Sequence, residues 1–237
     1  MHLFYTPDIN PTHPQYFLTE EESKHAIRVM RLEVGSAVQL IDGKGGLYTA
    51  EIIDAHPKRT ILQIKNITQG YNKRNHYLHI AIAPTKNMER LEWFLEKATE
   101  IGIDEISLII CQRSERKEAK PERLNKIITA AIKQSLKAYH PKLNEAMPLA
   151  ELLAKPFDGQ KFIAHCEDSE KVTLTSTLQK HGSYLILIGP EGDFTPHEID
   201  MALQNGYNAI TLGESRLRTE TAGLEACFEA NFLNRQR

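Results

Sequence analysis

The stretch Tyr184-Leu185-Ile186-Leu187-Ile188-Gly189-Pro190-Glu191-Gly192-Asp193-Phe194-Thr195-Pro196-His197-Glu198 contains a complete change of secondary structure. An unbroken apolar run from Tyr184 to Ile188 fits a strand buried on both faces, as in a parallel sheet. Gly189, Pro190 and Gly192 bend the chain and leave its amides open to a polar ligand. Thr195 then caps a helix, Pro196 takes its first position and Glu198 closes a capping box. From these residues alone, an ordinary strand-to-helix turn explains the loop as well as a ligand site does.

The same order recurs outward from this stretch. Asn208 to Leu212 reads as a strand, Gly213-Glu214-Ser215-Arg216-Leu217-Arg218 as a loop, and a helix follows from Thr219 with Ala222, Leu224, Phe228 and Phe232 for burial. Upstream, strands are expected at Tyr77 to Ala83, Ile106 to Cys111 and Lys161 to Cys166. A helix at Met88 to Ile101 is stopped by Gly102, and another runs from Glu122 to Tyr139 with Leu124, Ile128, Ile132 and Leu136 inward. Repeated strand-helix units predict a largely parallel sheet with both faces covered and a ligand crevice beyond the C-terminal ends of its strands. Two such loops in series form one cleft. Neither carries the glycine pattern of a phosphate or dinucleotide loop, which argues against phosphate-rich cofactors.

Before about Lys73 the pattern is mainly strand: Ala37 to Ile41, Leu47 to Ile53 and Thr60 to Ile67, with Asp42-Gly43-Lys44-Gly45-Gly46 as a hairpin turn. One helix interrupts it, capped by Thr19 and Glu22 and running through Ser23 to Leu32. On it Lys24, Arg28 and Arg31 fall on one face. The polar stretch Tyr71 to Asn75 divides a small β-rich domain, residues 1–73, from an α/β domain, residues 74–237.

The 237 residues carry a formal charge of -2, but residues 113–142 hold nine Lys and Arg against three Glu, a local excess of +6. That segment suits phosphate contacts and equally a solvated helix face. No apolar run approaches the roughly 20 residues of a membrane helix, and the N-terminus has no secretory pattern, so a cytoplasmic protein is expected. Cys111, Cys166 and Cys227 lack metal or disulfide spacing and read as core thiols; no metal is expected.

Leu187 to Phe194, together with Leu212-Gly213-Glu214-Ser215-Arg216-Leu217-Arg218-Thr219-Glu220-Thr221-Ala222, resembles the 16S ribosomal RNA (uracil-1498-N3)-methyltransferase family, RsmE type, of the SPOUT class. His25-Ala26-Ile27-Arg28-Val29-Met30-Arg31, Lys97 to Gly102, Gln112-Arg113-Ser114 and Gln134-Ser135 support the resemblance. It implies an N-terminal PUA-like β-barrel for RNA, a C-terminal SPOUT α/β domain with a parallel sheet and trefoil knot, a homodimer, and 16S rRNA in the small ribosomal subunit as substrate. Its cofactor is S-adenosyl-L-methionine.

On the resemblance, cofactor contacts fall to Leu187, Ile188, Gly189, Pro190, Glu191, Gly192, Leu212, Gly213, Leu217, Arg218, Thr219, Thr221 and Ala222, and Arg218 is the catalytic residue. Methyl transfer to uracil N3 requires alignment, loss of the N3 proton and stabilisation of the charge left on the base. Arg218 suits the last task, although an ion pair with Glu220 or Glu191 suits it too. Glu191, Glu220 and solvent remain open as proton acceptors. RNA contacts are expected at Lys24, Arg28, Arg31, Arg113, Arg116 and Lys117. His165 borders the cofactor or is structural.

Overall fold

The computed structural model describes residues 2–235. The chain divides into two compact units, one of residues up to 73 together with 132–140, the other of residues 74–131 together with those from 141 onward.

In the first unit, β1 (Leu3–Tyr5), β2 (Gln15–Phe17), β3 (Ala37–Ile41), β4 (Leu47–Asp54) and β5 (Ile61–Thr68) form a curled half-barrel in the order β1-β3-β4-β5-β2. Only β1 and β3 pair in parallel. Alternation along β4 sends Tyr48, Ala50 and Ile52 into a core with Phe4, Leu40 and Leu62. The β3–β4 turn is the expected hairpin: the Asp42 carboxylate accepts the amides of Lys44 and Gly46 at 2.7 and 2.9 Å, and the Tyr48 hydroxyl at 3.2 Å.

Thr19 caps α1 (Glu20–Lys24) as expected, accepting the Glu22 amide at 3.3 Å. The uninterrupted helix expected to Leu32 is corrected: His25–Val29 is a π-helical turn, and Arg31 leaves it at φ +55°. The Met30 amide reaches the His25 carbonyl five residues back, and the wider turn breaks the 3.6-residue phase on which a Lys24-Arg28-Arg31 stripe depended.

Within this unit Ile132 and Ala138 pack with Leu3 and Ile41, while Gly45 donates to the Ala138 carbonyl at 2.9 Å. A single linear cut at residue 73 leaves that segment on the other side.

The second unit carries a seven-stranded, wholly parallel sheet. Its elements are β6 (Tyr77–Ile82), α2 (Met88–Ile101), β7 (Glu105–Ile110), α3 (Pro121–Gln134, whose last residues belong to the first unit), β8 (Lys142–Pro148), α4 (Leu149–Leu153), β9 (Gln160–Ala164), β10 (Val172–Thr173), α5 (Leu174–Thr177), β11 (Ser183–Ile188), α6 (Pro196–Gln204), β12 (Asn208–Thr211) and α7 (Thr219–Arg235). Strand order is β10-β12-β9-β11-β6-β7-β8. One face is covered by an apolar core that includes Phe94, Leu95 and Leu124 with Ala226 and Cys227; the other includes Leu152, Leu153, Phe194 and Ile199.

The helix expected to reach Tyr139 ends at Gln134, because Leu136 turns left-handed at φ +55° and is exposed rather than inward. Strand β8 and helix α4 were not anticipated. β8 is a sheet edge with no buried side chain, and Lys142, Asn144 and Glu145 interrupt its apolar residues, so it lacks an apolar signature. Among the described residues no helix is long and apolar enough to cross a membrane.

Candidate active site

Strand β11 ends at Ile188, whose carbonyl accepts the Ala83 amide at 3.0 Å. The loop beyond it is braced on several sides. Lys86 donates its amide to Glu191 Oε1 at 2.9 Å, and the Arg113 guanidinium donates to the carbonyls of Gly192 at 2.9 Å and Phe194 at 3.3 Å. Gln112 donates its amide at 2.8 Å to Glu198 Oε1, while Glu198 Oε2 accepts from Thr195 in the expected capping box. One buried carboxylate therefore fixes both the helix start and the neighbouring loop. Asp193, left-handed at φ +62°, accepts the Cys166 amide through Oδ2 and the Phe194 amide through Oδ1, both at 2.8 Å. It ties the end of β9 to the end of β11.

The second loop follows β12. Gly213 takes φ +103°, a conformation that penalises any side chain even though its own surroundings are open. Thr219 at the start of α7 donates its hydroxyl to the Gly189 carbonyl at 3.0 Å, which joins the two loops. Between them lies a cleft of two adjoining lobes, about 550 and 250 Å³.

Of the residues expected at the cofactor, Gly192, Leu212, Gly213, Leu217 and Ala222 line the larger lobe. Ile188, Gly189, Pro190, Glu191, Arg218 and Thr219 line the smaller, together with Leu217 and Ala222. Leu187 is fully buried in the core beneath the loop, and Thr221 lines neither lobe.

Arg218 is exposed, faces the smaller lobe and, among the described residues, forms no ion pair with Glu191 or Glu220. Glu220 instead faces Arg90 at 3.8 Å and lies outside both lobes. The second oxygen of Glu191, Oε2, is buried without a partner.

A third wall, residues 165–171 after β9, escaped the sequence reading apart from His165. The signal was present, since in a parallel sheet every C-terminal strand end meets the crevice. His165 is 7% exposed, and neither ring nitrogen has a hydrogen-bond partner. Burial lowers its pKa and nearby Lys171 lowers it further, against the opposing pull of Asp193 and Glu167, so the ring is neutral near pH 7. Cys111 and Cys227 are core thiols as expected. Cys166 is not: it is exposed at the cleft, because β9 stops at Ala164.

Among the residues expected at RNA, Lys24 and Arg28 line a depression of about 420 Å³ in the first unit with His25 and Lys133. Lys24 pairs with Glu20 at 2.7 Å and Lys133 with Glu22 at 2.9 Å. Arg31 is not part of its wall. Arg113 and Arg116 are engaged within their own unit, Arg116 donating to the Lys86 carbonyl at 3.1 Å; Lys117 is exposed.

The volume suits a molecule of cofactor size. Its wall combines apolar and main-chain surface from Ile188, Gly189, Pro190 and Leu217 with both signs of charge, Glu191, Asp193, Arg216 and Arg218 in the smaller lobe and Asp193, Glu167, Glu214, Arg113, Lys171 and Arg216 in the larger. That mixture fits S-adenosylmethionine, whose flat base and zwitterionic, sulfonium-bearing tail need different surroundings.

A parallel α/β sheet with a loop-built cleft at its strand ends, whose loops carry no phosphate-loop pattern, is the architecture of an α/β protein that binds a small molecule there. Known proteins agree. Residues 72–229 match the model of the RNA methyltransferase domain and residues 18–65 that of the RNA methyltransferase PUA domain. The chain belongs to the RNA methyltransferase family.

It is similar to ribosomal RNA small subunit methyltransferase E of Bacillus subtilis, 27% identical over 90% of this chain and 88% of the relative. It is likewise similar to that of Rickettsia conorii, 26% identical over 91% and 89%. Among solved structures, a probable rRNA-methyltransferase from Porphyromonas gingivalis superposes with TM-score 0.92 at 39% identity, covering 99% of each chain. Ribosomal RNA small subunit methyltransferase E from Neisseria gonorrhoeae, bound to S-adenosyl methionine, superposes with TM-score 0.83 at 28% identity, covering 96% of this chain and 95% of its own. The resemblance read from the two loops is borne out.

Proposed function

We propose that this chain uses S-adenosylmethionine to methylate 16S rRNA of the small ribosomal subunit, and that the target is N3 of uridine 1498. The observation that carries the reading is the convergence of the 189–192 and 212–218 loops on one two-lobed cleft with Arg218 on its wall. The names of the relatives and the cofactor bound in the Neisseria gonorrhoeae structure support it.

Main-chain groups of Ile188 to Gly192 and Leu212 to Leu217 hold the cofactor, which supplies a methyl group on a sulfonium. Thr219 keeps the two loops together, while Leu187 and Thr221 act as scaffold. Arg218, free of carboxylate partners, stabilises the charge that develops on the uracil when N3 loses its proton. Glu191 is the candidate acceptor of that proton: it lines the same lobe as Arg218, the Lys86 amide holds one of its oxygens, and the other is buried without a partner. Glu220 is too far removed for this role.

The test is methyl transfer from labelled cofactor to purified small subunits at saturating cofactor, with the modified nucleotide located by mass spectrometry. Arg218→Ala is expected to lose about 10²-fold or more in turnover with cofactor affinity changed far less. Wild-type turnover would remove Arg218 from the mechanism, and label at another nucleotide would overturn the assignment of the target.

The division into a PUA-like RNA-binding domain, residues 1–73, and a methyltransferase domain, residues 74–237, belongs to the same proposal, with residues 132–140 joined to the former by their packing. So do a cytoplasmic location beside the ribosome and RNA contacts from Lys24, Arg28, Arg31, Arg113, Arg116 and Lys117. Arg113 and Arg116 have first to leave their internal partners. A trefoil knot is supported by α7, which returns from β12 to pack on β6 and β11 and touches α5 within the β9–β11 connection.

A homodimer is supported by Phe228 and Phe232 on α7. They are stacked with ring centroids 5.8 Å apart and are 45% and 46% exposed, an apolar pair that a second copy would cover. Sedimentation as a monomer at micromolar concentration would refute it.

A further inference from the structure

His165 stands out among the buried polar groups of the second unit. Its residue is almost fully enclosed at the end of β9, yet Nδ1 and Nε2 both lack partners, and it lies in the wall of the larger lobe. A structural histidine of the core has at least one ring nitrogen bonded, because an unpaired buried donor or acceptor costs stability. The main chain that carries the ring is held on both sides: Lys171 donates to the His165 carbonyl at 3.2 Å, and Asp193 accepts the Cys166 amide next door at 2.8 Å. His165 itself lines the larger lobe, and its flanking residues, Ala164 and Cys166, line both, so it lies close to where the lobes adjoin.

We propose that His165 is a recognition residue for the cofactor and exchanges hydrogen bonds with a ribose hydroxyl. The inference rests on the methyltransferase reading above. A neutral imidazole presents one N–H and one lone pair, and a hydroxyl is the cofactor group that can both give and accept a hydrogen bond while carrying no charge. The charged groups of the methionine end have Arg216, Lys171, Glu167 and Glu214 in the larger lobe to answer them. The flat base suits the apolar surface that Ile188, Pro190, Leu217 and Ala222 give the smaller lobe, beside the charged Glu191 and Arg218. The ribose links base to methionine, and the junction of the lobes is where a linking group belongs.

Calorimetric titration of the purified protein tests this with four probes: S-adenosylhomocysteine; 5′-methylthioadenosine, which keeps the base and ribose but lacks the charged end; and the 2′- and 3′-deoxy forms of the latter. His165→Leu is expected to weaken S-adenosylhomocysteine and methylthioadenosine alike by about tenfold, the value of one or two hydrogen bonds. The penalty should disappear for the deoxy form that lacks the partner hydroxyl. His165→Asn, which keeps a donor and an acceptor, should recover much of the loss. Free of ligand, His165→Leu should melt no lower than wild type, since it removes two unpaired buried atoms.

Unchanged affinity in His165→Leu beside tight wild-type binding would overturn the inference alone, as would a loss confined to S-adenosylhomocysteine or a lowered melting temperature without ligand. A wild-type protein that binds none of the probes would overturn the methyltransferase reading, and this inference with it.

Discussion

At the scale of single residues, the cleft depends on side chains that do no chemistry. Asp193 holds two amides on neighbouring strand ends, Glu198 serves a helix cap and a foreign loop, and Arg113 closes over two carbonyls. Arg113 is expected at RNA, and its charge does not reveal the two carbonyls it meets within its own unit. Gly223 is a different kind of residue-scale constraint. A β-carbon there would lie 2.8 Å from the Phe94 ring and 3.0 Å from Ile82 Cδ1, both parts of the packed core. Gly223→Ala adds helix propensity of about 1 kcal/mol, but overpacking costs about 1–3 kcal/mol, so the clash wins. Gly223→Val should lower the denaturation midpoint further than Gly223→Ala; a midpoint at or above wild type in both would show that α7 can shift without cost.

At the scale of elements, the π-helical turn His25–Val29 is the feature that periodicity misjudged. Hydrophobic spacing and the Thr19 cap made a helix legible, but spacing carries no information about one extra residue in a turn. The consequence is a regrouping of cations: Lys24 and Arg28 share a depression with Lys133, from a segment more than a hundred residues away in sequence, instead of with Arg31. Lys24→Gln with Arg28→Gln should weaken binding to the small subunit and reduce the steepness of its salt dependence, by about 0.7 in log–log slope for each phosphate that the protein no longer neutralises. An unchanged slope would show that this face does not meet RNA.

At the scale of the molecule, the second unit buries titratable groups at the end of the sheet opposite the cleft. His79 is pushed down to about 4 by burial, with Lys142 adding to the effect against Glu105, and His76 to about 4 by burial and then Arg74. Burial alone would raise Glu105, but hydrogen bonds from Tyr77, Asn144 and Lys142 hold it at about 2. Each of these pKa values lies below its unfolded value, so the unfolded chain binds more protons, and the stabilisation present above the unfolded pKa is lost as pH falls. Asp104 runs the other way, raised mainly by burial, and offsets part of the loss near pH 4. The melting temperature should therefore decline from pH 7 towards pH 4. His79→Gln, which keeps a polar partner for Ser107 2.8 Å from His79 Nε2, should flatten that decline. A wild-type profile that is level from pH 7 to 4 would contradict this account.

Local sequence determined the parts that local physics controls: the apolar strand before Gly189, the Thr195-Pro196-Glu198 helix start, the Asp42–Gly46 hairpin, and the glycine-bearing loops whose pattern excludes a phosphate site. Those features depend on neighbours a few residues away. Tertiary structure alone decided which strand ends became neighbours, that residues 165–171 supply a third wall, that Leu187 and Thr221 stay out of the cleft, that Arg218 pairs with no carboxylate among the described residues, and that residues 132–140 pack with the first unit. Each of these depends on strand order and on packing between distant segments, and side-chain type and spacing do not encode either.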